Sequence, residues 1–254
     1  MSTTLDQPLK AAMAARLLEM ADDELILAHR DSEWTGHAPI LEEDIAFANI
    51  AQDELGHALI WYDIRRSLAG DDPDRLVFFR GASEFRNMQM VELPKGDWAF
   101  SMVRQFLFDT WEALHIEALE QSRFTPVAEA ASKIRKEEMY HLRHTRAWIR
   151  RLGLGTEESS RRMQAALDVL WPYHGQILIY PTDYQLLVDE SLMPDLTPLS
   201  AHWIERIQAE LSDANLRLPG SAAVSYTRDH HSPYFPALIE ELQQVARIEA
   251  EARW

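Results

Sequence analysis

The chain has 254 residues, with 41 acidic and 25 basic side chains, ten histidines, no cysteine and a formal net charge of -16. This acidic balance argues against a protein that binds duplex nucleic acid or anionic membranes, because both partners require a basic surface. The lack of cysteine excludes disulfides, thiolate zinc sites, iron–sulfur clusters and cysteine nucleophiles, so any metal would be held by histidine and carboxylate.

The hydropathy pattern predicts neither export nor membrane insertion. The first ten residues, MSTTLDQPLK, lack an apolar core of signal-peptide length. No stretch of the sequence approaches the roughly 18 apolar residues of a membrane span. We therefore expect a cytoplasmic globular protein that binds neither nucleic acid nor membranes.

Prolines divide the first part of the chain into long intervals, because proline is tolerated in a first helical turn but breaks a helix interior. Only nine glycines occur, which also favours helix. Asp6 and Asp97 are candidate N-caps, and Gly70 follows the end of the second helix. Four long helices are predicted, at about Pro8 to His29, Ile40 to Leu68, Asp97 to Arg123 and Pro126 to Gly153.

The later part of the chain carries three further predicted helices, at about Thr156 to Trp171, Pro198 to Ala214 and Pro236 to the C-terminus. Segments 181–194 and 216–234 are predicted to be loops or short turns, as is the segment between the second and third helices. No hairpin pattern or domain linker is found. The prediction is one all-α domain over residues 1–254, with a four-helix core at about 8–153 and extra helices at about 156–254.

Paired glutamate and histidine residues interrupt the apolar faces of the long helices. Three Glu-x-x-His matches occur, Glu54 with His57, Glu112 with His115 and Glu138 with His141. About one such match is expected by chance, so a match is evidence for a site only when its position in the helix supports one. On the second and fourth helices both members of the match fall inside an apolar stripe at helical spacing, where an uncompensated carboxylate is costly.

Glu24 lies on the apolar face of the first helix, and Glu112 on that of the third. The four helices therefore carry Glu, Glu-x-x-His, Glu and Glu-x-x-His in chain order, the ligand pattern of di-iron and di-manganese carboxylate bundles. Two adjacent divalent ions need bridging carboxylates and one imidazole each. The predicted ligands of two iron or manganese ions are Glu24, Glu54, His57, Glu112, Glu138 and His141, with Glu54 and Glu138 as bridges.

Several neighbouring residues have alternative interpretations. Asp109, one turn before Glu112, could take its place, and His115 is either a ligand or a core histidine. Asp53 and Glu137 each precede a ligand glutamate and could contact the outer ring nitrogen of a ligand histidine. The whole set could also be a vestigial site whose buried polar groups pair among themselves.

Two other features also leave alternatives open. Gly56, inside the second helix, either allows close approach of helices beside the metals or serves ordinary packing, at a cost of up to about 1 kcal/mol relative to alanine.

Ten of the 25 bases lie in residues 123–162. This cluster predicts a solvated helix face, or a surface for an acidic partner or a phosphate-bearing substrate such as a coenzyme A thioester.

Two stretches of the sequence resemble the C-subunit family of bacterial ring-1,2-phenylacetyl-CoA epoxidases. The first is EWTGHAP at residues 33–39, followed by LEEDIAFANIAQDELGH at residues 41–57. The second is YHLRHTRAWIRRLGLGTEESSRRMQ at residues 140–164. The resemblance covers about residues 10–175 and becomes looser toward the C-terminus.

The resemblance implies a ferritin-like helical fold and a place in a multicomponent oxygenase of aerobic phenylacetate breakdown. It implies a hetero-oligomer in which the working di-iron site lies in a sister, catalytic A subunit, this chain is its structural partner, and other components supply electrons. Many C subunits have lost ligand carboxylates or histidines, whereas all six candidate ligands are present here. A chain with catalytic activity of its own, a stand-alone ferroxidase, a metal-free scaffold and a homodimer in isolation therefore stay open as alternatives.

Overall fold

The computed structural model describes residues 5–220, 222–224 and 226–250, and all of their regular secondary structure is helical. The all-α prediction is therefore confirmed. Two short 3-10 helices, Ala82–Glu84 and Trp171–Leu178, accompany the α-helices. The α-helices of the described residues are α1 (Gln7–Ser32), α2 (Leu41–Ala69), α3 (Pro73–Phe78), α4 (Gln89–Glu92), α5 (Trp98–Leu119), α6 (Thr125–Gly153), α7 (Glu157–Leu170), α8 (Tyr184–Asp189), α9 (Leu196–Asp213) and α10 (Phe235–Ile248).

The long helices begin and end close to their predicted boundaries because their caps are readable in the sequence. The Asp6 carboxylate accepts a hydrogen bond from the Leu9 backbone N–H at 3.0 Å, and the Asp97 carboxylate accepts one from the Phe100 N–H at 2.9 Å. Gly70 ends α2 in the left-handed conformation, with φ of 79°. For α10, the predicted continuation through residues 251–254 lies outside the described residues.

The short helices α3, α4 and α8 were predicted only as loops or turns. Contacts with distant residues hold the chain around α4, since the Arg86 N–H donates to Asp22 at 2.8 Å and the Met88 N–H donates to Asp23 at 2.6 Å. Both carboxylates belong to α1. Local sequence carries little signal for a segment whose backbone is fixed by such remote partners.

Two pairs of helices form the bundle, α1 with α2 and α5 with α6, and α2 also contacts α6. Helices α7 and α9 pack against α5 and α6. One hydrophobic cluster runs from Leu5 to Ile239 and joins the bundle to the C-terminal helices. Each fully buried large side chain in it, such as Trp61 or Phe106, contributes about 1.5–3 kcal/mol.

Gly153, at the end of α6, allows another helix of the chain to approach closely, whereas Gly56, in the middle of α2, does not have this role. A Cβ at Gly153 would lie 2.4 Å from the Ala214 carbonyl oxygen, so a side chain there would push α6 and α9 apart. A Cβ at Gly56 would meet no atom within 4 Å. The interpretation of Gly56 as a close-approach residue beside the metals is therefore wrong.

The segment between α9 and α10 is tied to the bundle by buried polar contacts. Arg228 donates to Asp23 of α1 at 2.8 Å, and His231 Nδ1 lies 2.5 Å from Glu92 Oε1. Both contacts join residues more than 130 positions apart, so they close the C-terminal part of the chain over α1 and α4. In the part of the chain that the structure describes, no helix has the length and apolar character needed to cross a bilayer.

Candidate metal centre

Inward-facing residues of α1, α2 and α6 form a first group of possible metal ligands. Glu24, Glu54, His57 and Glu138 are each at most 1% exposed. Each offers one ligand atom, and these four atoms all lie within 4.8 Å of one another. The Glu-x-x-His spacing places the glutamate and the histidine on the same helix face, so both members of a pair point into the bundle.

A second group adjoins the first and shares Glu54 with it. Ligand atoms of Glu54, Asp109 and His141 lie within 4.8 Å of one another, and all three residues are fully buried. Glu138 Oε1 lies 3.3 Å from His57 Nδ1 and 3.6 Å from His141 Nδ1, so it stands between the two imidazoles. Glu54 and Glu138 therefore occupy the positions between two neighbouring sites.

The structure differs from the prediction on α5, because Asp109 and not Glu112 joins the cluster. Among the described residues, Glu112 belongs to neither ligand group. Its Oε1 lies 3.5 Å from Nδ1 of His115, whose buried ring stacks on Trp111 with 5.3 Å between centroids. Asp109 and Glu112 lie one turn apart on the same helix face, so spacing alone could not decide between them.

The carboxylates that precede the ligand glutamates hold the histidines of the opposite helix. Glu137 of α6 lies 2.8 Å from His57 Nε2, and Asp53 of α2 lies 3.2 Å from His141 Nε2. This confirms the predicted contacts. When Nε2 carries the proton and donates it outward, the Nδ1 lone pair is directed into the cluster, which is the arrangement that a metal-ligating imidazole needs.

Two neutral side chains that sequence reasoning missed orient the carboxylates. The Gln105 amide donates to Glu54 Oε1 at 2.9 Å and to Asp109 Oδ1 at 2.8 Å. The Thr145 hydroxyl donates to the other oxygen of Asp109 at 2.8 Å. The available signal for Gln105 was its position one turn before Asp109 on the same helix face.

Several inward-facing polar atoms lack a hydrogen-bond partner within the described part of the chain. They include Nδ1 of His57 and His141, both oxygens of Glu138, and one oxygen each of Glu24 and Glu54. A buried polar atom without a partner costs about 1–3 kcal/mol, and more when it is charged. A metal ion bound among these atoms would supply the missing partners. The all-carboxylate and imidazole donor set fits divalent iron or manganese.

The cluster retains protons when no cation neutralises it. Burial raises the pKa of Glu24, Glu54 and Asp109 well above the usual range, and neighbouring carboxylates add to the shift in Glu24 and Glu54. Burial alone would also raise the pKa of Glu138, but the nearby imidazoles of His57 and His141, at 3.3 and 3.6 Å from its Oε1, outweigh it and lower the pKa to about 2. Cation binding to this cluster would therefore release protons.

Four long helices with two inward-facing Glu-x-x-His pairs define the ferritin-like class of helical bundles. The model of the family described as "Phenylacetic acid catabolic protein" matches residues 2–254, so the chain belongs to that family. The family-level resemblance predicted from the sequence is therefore confirmed.

Two relatives come from Escherichia coli (strain K12). The C subunit of 1,2-phenylacetyl-CoA epoxidase is 34% identical over 245 residues, which cover 95% of this chain and 99% of the relative. The A subunit of 1,2-phenylacetyl-CoA epoxidase is 26% identical over 153 residues, which cover 59% of this chain and 48% of the relative. The first similarity thus extends from end to end, whereas the second is limited to a part of each chain.

Proposed function

We propose that this chain is one component of a cytoplasmic multicomponent oxygenase that epoxidises the aromatic ring of phenylacetyl-CoA. In this proposal it is the structural partner of a catalytic A-type subunit, and further components supply the electrons. The observation that carries the proposal is the end-to-end similarity to the epoxidase's C subunit, at 34% identity over 95% of the chain. The partial similarity to its A subunit supports a partnership of two related helical bundles.

The proposal includes two divalent metal ions, iron or manganese, bound by the buried cluster. Glu24 and His57 would hold one ion, Asp109 and His141 the other, and Glu54 and Glu138 would bridge them. Support comes from the two adjoining ligand groups and from their unpartnered inward-facing atoms. Iron bound there would supply the redox chemistry needed to activate O2.

The residues around the cluster hold its geometry, and the ligands themselves are buried from water. Glu137 and Asp53 fix the ring orientation of the two histidines, and Gln105 holds Glu54 and Asp109 in register. Glu54 is fully buried, so its interactions act in an environment of low dielectric. This chain therefore contributes binding, orientation and exclusion of solvent.

An oxygenase activity of the chain's own is the second candidate function. The specific observation in its favour is the buried donor set, several of whose inward-facing atoms have no hydrogen bond. A purely structural partner has no need of these residues. Their cost to folding would be expected to select against them.

Reconstitution with the reductase components and an A-type subunit tests both candidates. We expect this chain to be required for epoxidation of phenylacetyl-CoA and to co-elute with the A-type subunit. If the chain is a structural partner, the double variant Glu54→Ala with Glu138→Ala should keep both co-elution and epoxidase activity. If the chain's own site reacts, the same variant should still co-elute but should lose the activity. Absence of co-elution, together with full epoxidase activity when this chain is omitted, would contradict the proposal.

A further inference from the structure

An apolar stripe of α2 faces solvent, on the side of the helix opposite Glu54 and His57. Six residues form this outer stripe, at alternating steps of four and three positions: Leu41, Ile45, Ala48, Gln52, Leu55 and Leu59. With this spacing a helix presents one face to a second helix in a coiled coil. Its large apolar side chains are exposed, by 71% for Leu41, 55% for Ile45, 45% for Leu55 and 53% for Leu59. The stripe extends for about 27 Å at 1.5 Å per residue.

The inner face of α2 is apolar as well, so the helix lacks the polar outer face of an ordinary surface helix. Phe47, Ile50, Ala58 and Trp61 are buried in the bundle on that side. A helix that is apolar on opposite faces is typical of a buried position. Single exposed apolar side chains are common, whereas a continuous row of them indicates a contact surface. The composition of α2 therefore suits a helix that is covered on its outer side by another molecule.

Gly56 lies beside Leu55 on the exposed side of α2, and the space above it is open. A Cβ at this position would meet no atom within 4 Å. Glycine here costs about 1 kcal/mol relative to alanine, and no contact within the described part of the chain compensates for that cost. Glycine suits positions where another chain must approach closely. Leu55 protrudes and Gly56 leaves a gap, so this short segment offers both a knob and a hole for a packing contact.

A second copy of the chain matches this segment when the two α2 helices cross antiparallel at residues 55 and 56. Leu55 of each copy then lies over Gly56 of the other copy. The crossing point is close to the middle of α2, which spans Leu41–Ala69, so the flanking stripe residues also meet. Gln52, for example, lies opposite Leu59 of the second copy. A patch that contacts itself in this way is the requirement for a two-fold symmetric dimer.

The charges at the two ends of α2 favour the antiparallel arrangement. The first turn carries three acidic residues, beginning with Glu42, and the last turn carries Arg66. Antiparallel pairing brings the acidic end of one copy toward the basic end of the other, whereas parallel pairing places acid against acid. Arg66 lies 3.8 Å from Asp63, and both side chains are more than half exposed. Such a pair is weak, so Arg66 can turn to a carboxylate of a second copy at little cost.

We propose that the outer stripe of α2 is a dimerisation surface on which a second copy of this chain packs antiparallel, with Leu55 of each copy over Gly56 of the other. Removal of the apolar side chains from water drives the association. The contact braces the helix that carries Glu54 and His57. It needs neither a metal ion nor an A-type subunit, so it does not depend on the proposed function.

Sedimentation velocity of the purified chain over a range of protein concentrations tests the inference. We expect a species with twice the 29.3 kDa mass of one chain, which dissociates on dilution. Leu55→Gln with Leu59→Gln should raise the dissociation constant of the dimer at least about tenfold, because two apolar side chains per copy no longer leave water on association. Gly56→Gln should also raise it at least about tenfold, by filling the gap that receives Leu55.

These variants should fold, because all three positions are exposed and glutamine is a good helix former. Circular dichroism should show unchanged helix content. The matched control, Val169→Gln with Val245→Gln, replaces two exposed valines of α7 and α10 that lie outside the stripe. Its dissociation constant should stay within about twofold of the parent value.

Four results would overturn the inference. The first is a parent chain that stays monomeric at every concentration, and the second is a dimer that neither the leucine variant nor Gly56→Gln weakens. The third is equal weakening by the valine control, which would show association without a specific surface. The fourth is a monomeric parent chain that loses co-elution with the A-type subunit in the leucine variant, which would assign the outer stripe to that subunit instead.

Discussion

Glu137 and Asp53 hold different histidines, so removing each carboxylate should weaken a different metal position. Glu137→Ala removes the 2.8 Å contact with His57 Nε2, and His57 belongs to the first ligand group. Asp53→Ala removes the 3.2 Å contact with His141 Nε2, and His141 belongs to the second. Two single variants can therefore separate the two sites.

The expected size of each effect follows from the exposure of the two carboxylates. Loss of an outer partner of a ligand histidine typically costs 10- to 100-fold in metal affinity, or about 1.4–2.7 kcal/mol. The side chain of Glu137 is 43% exposed and that of Asp53 is 36% exposed. Because water can replace part of each contact, we expect a loss near tenfold for each variant.

Anaerobic titration with Co²⁺, followed by visible absorption, resolves the two positions as successive binding phases. Glu137→Ala should weaken one phase and Asp53→Ala the other, and the double variant should weaken both. Asp63→Ala and Glu129→Ala are matched controls, since they remove carboxylates that lie outside both ligand groups on α2 and α6. Weakening of the same phase by both single variants, or a change below about twofold in each, would refute the assignment of one histidine to each site.

Changes away from the metal ligands test the fold. Gly56→Ala should raise the free energy of unfolding in urea by about 1 kcal/mol, because the new Cβ meets no atom within 4 Å; a decrease would contradict this. Asp22→Ala should lower it by about 3–5 kcal/mol, because buried Arg80 loses its carboxylate at 2.6 Å; a loss below about 1 kcal/mol would count against a stabilising pair. Burial lowers the pKa of His115 below its usual 6.5, so stability should fall as the pH drops from about 7 to 5. His115→Phe, which can still stack on Trp111, should reduce that slope, and an unchanged slope would show that another group titrates.

The long helices could be predicted because proline, caps and apolar stripes are local signals. The hydroxyl of Thr156 accepts from the Ser159 N–H at 3.1 Å at the predicted start of α7, as a capping residue should. The 3-10 segment Trp171–Leu178 and helix α8 had no comparable signal. Part of that region is fixed by tertiary contacts, such as the Gln176 side chain that accepts from the Gln89 N–H at 3.0 Å.

The candidate site could be predicted to within one helical turn. Glu24, Glu54, His57, Glu138 and His141 come together because the sequence places each of them on an apolar helix face. Whether Asp109 or Glu112 of α5 joins the cluster depends on side-chain length and on the rotation of the helix, which sequence spacing does not specify.

Residues 123–162, which carry ten of the 25 bases, include both paired and unpaired arginines, and the sequence alone could not separate the two. Arg135 lies 2.9 Å from Glu120, and Arg146 pairs with Glu210, as expected of a solvated helix face. Arg143 is exposed and lines a surface groove formed by α5, α6 and α9. The sequence predicted both interpretations, and the position of α9 beside α6 is what creates a groove between them.

Metal analysis of protein purified from iron-supplemented cells tests most directly whether the buried cluster is a metal centre. The parent chain should retain up to about two metal ions per chain, as expected for a bridged pair of sites. The variant with Glu54→Ala and Glu138→Ala should retain almost none, whereas Glu129→Ala should match the parent. Equal and negligible metal in the parent and in the double variant would contradict the metal centre and leave the chain as a metal-free scaffold.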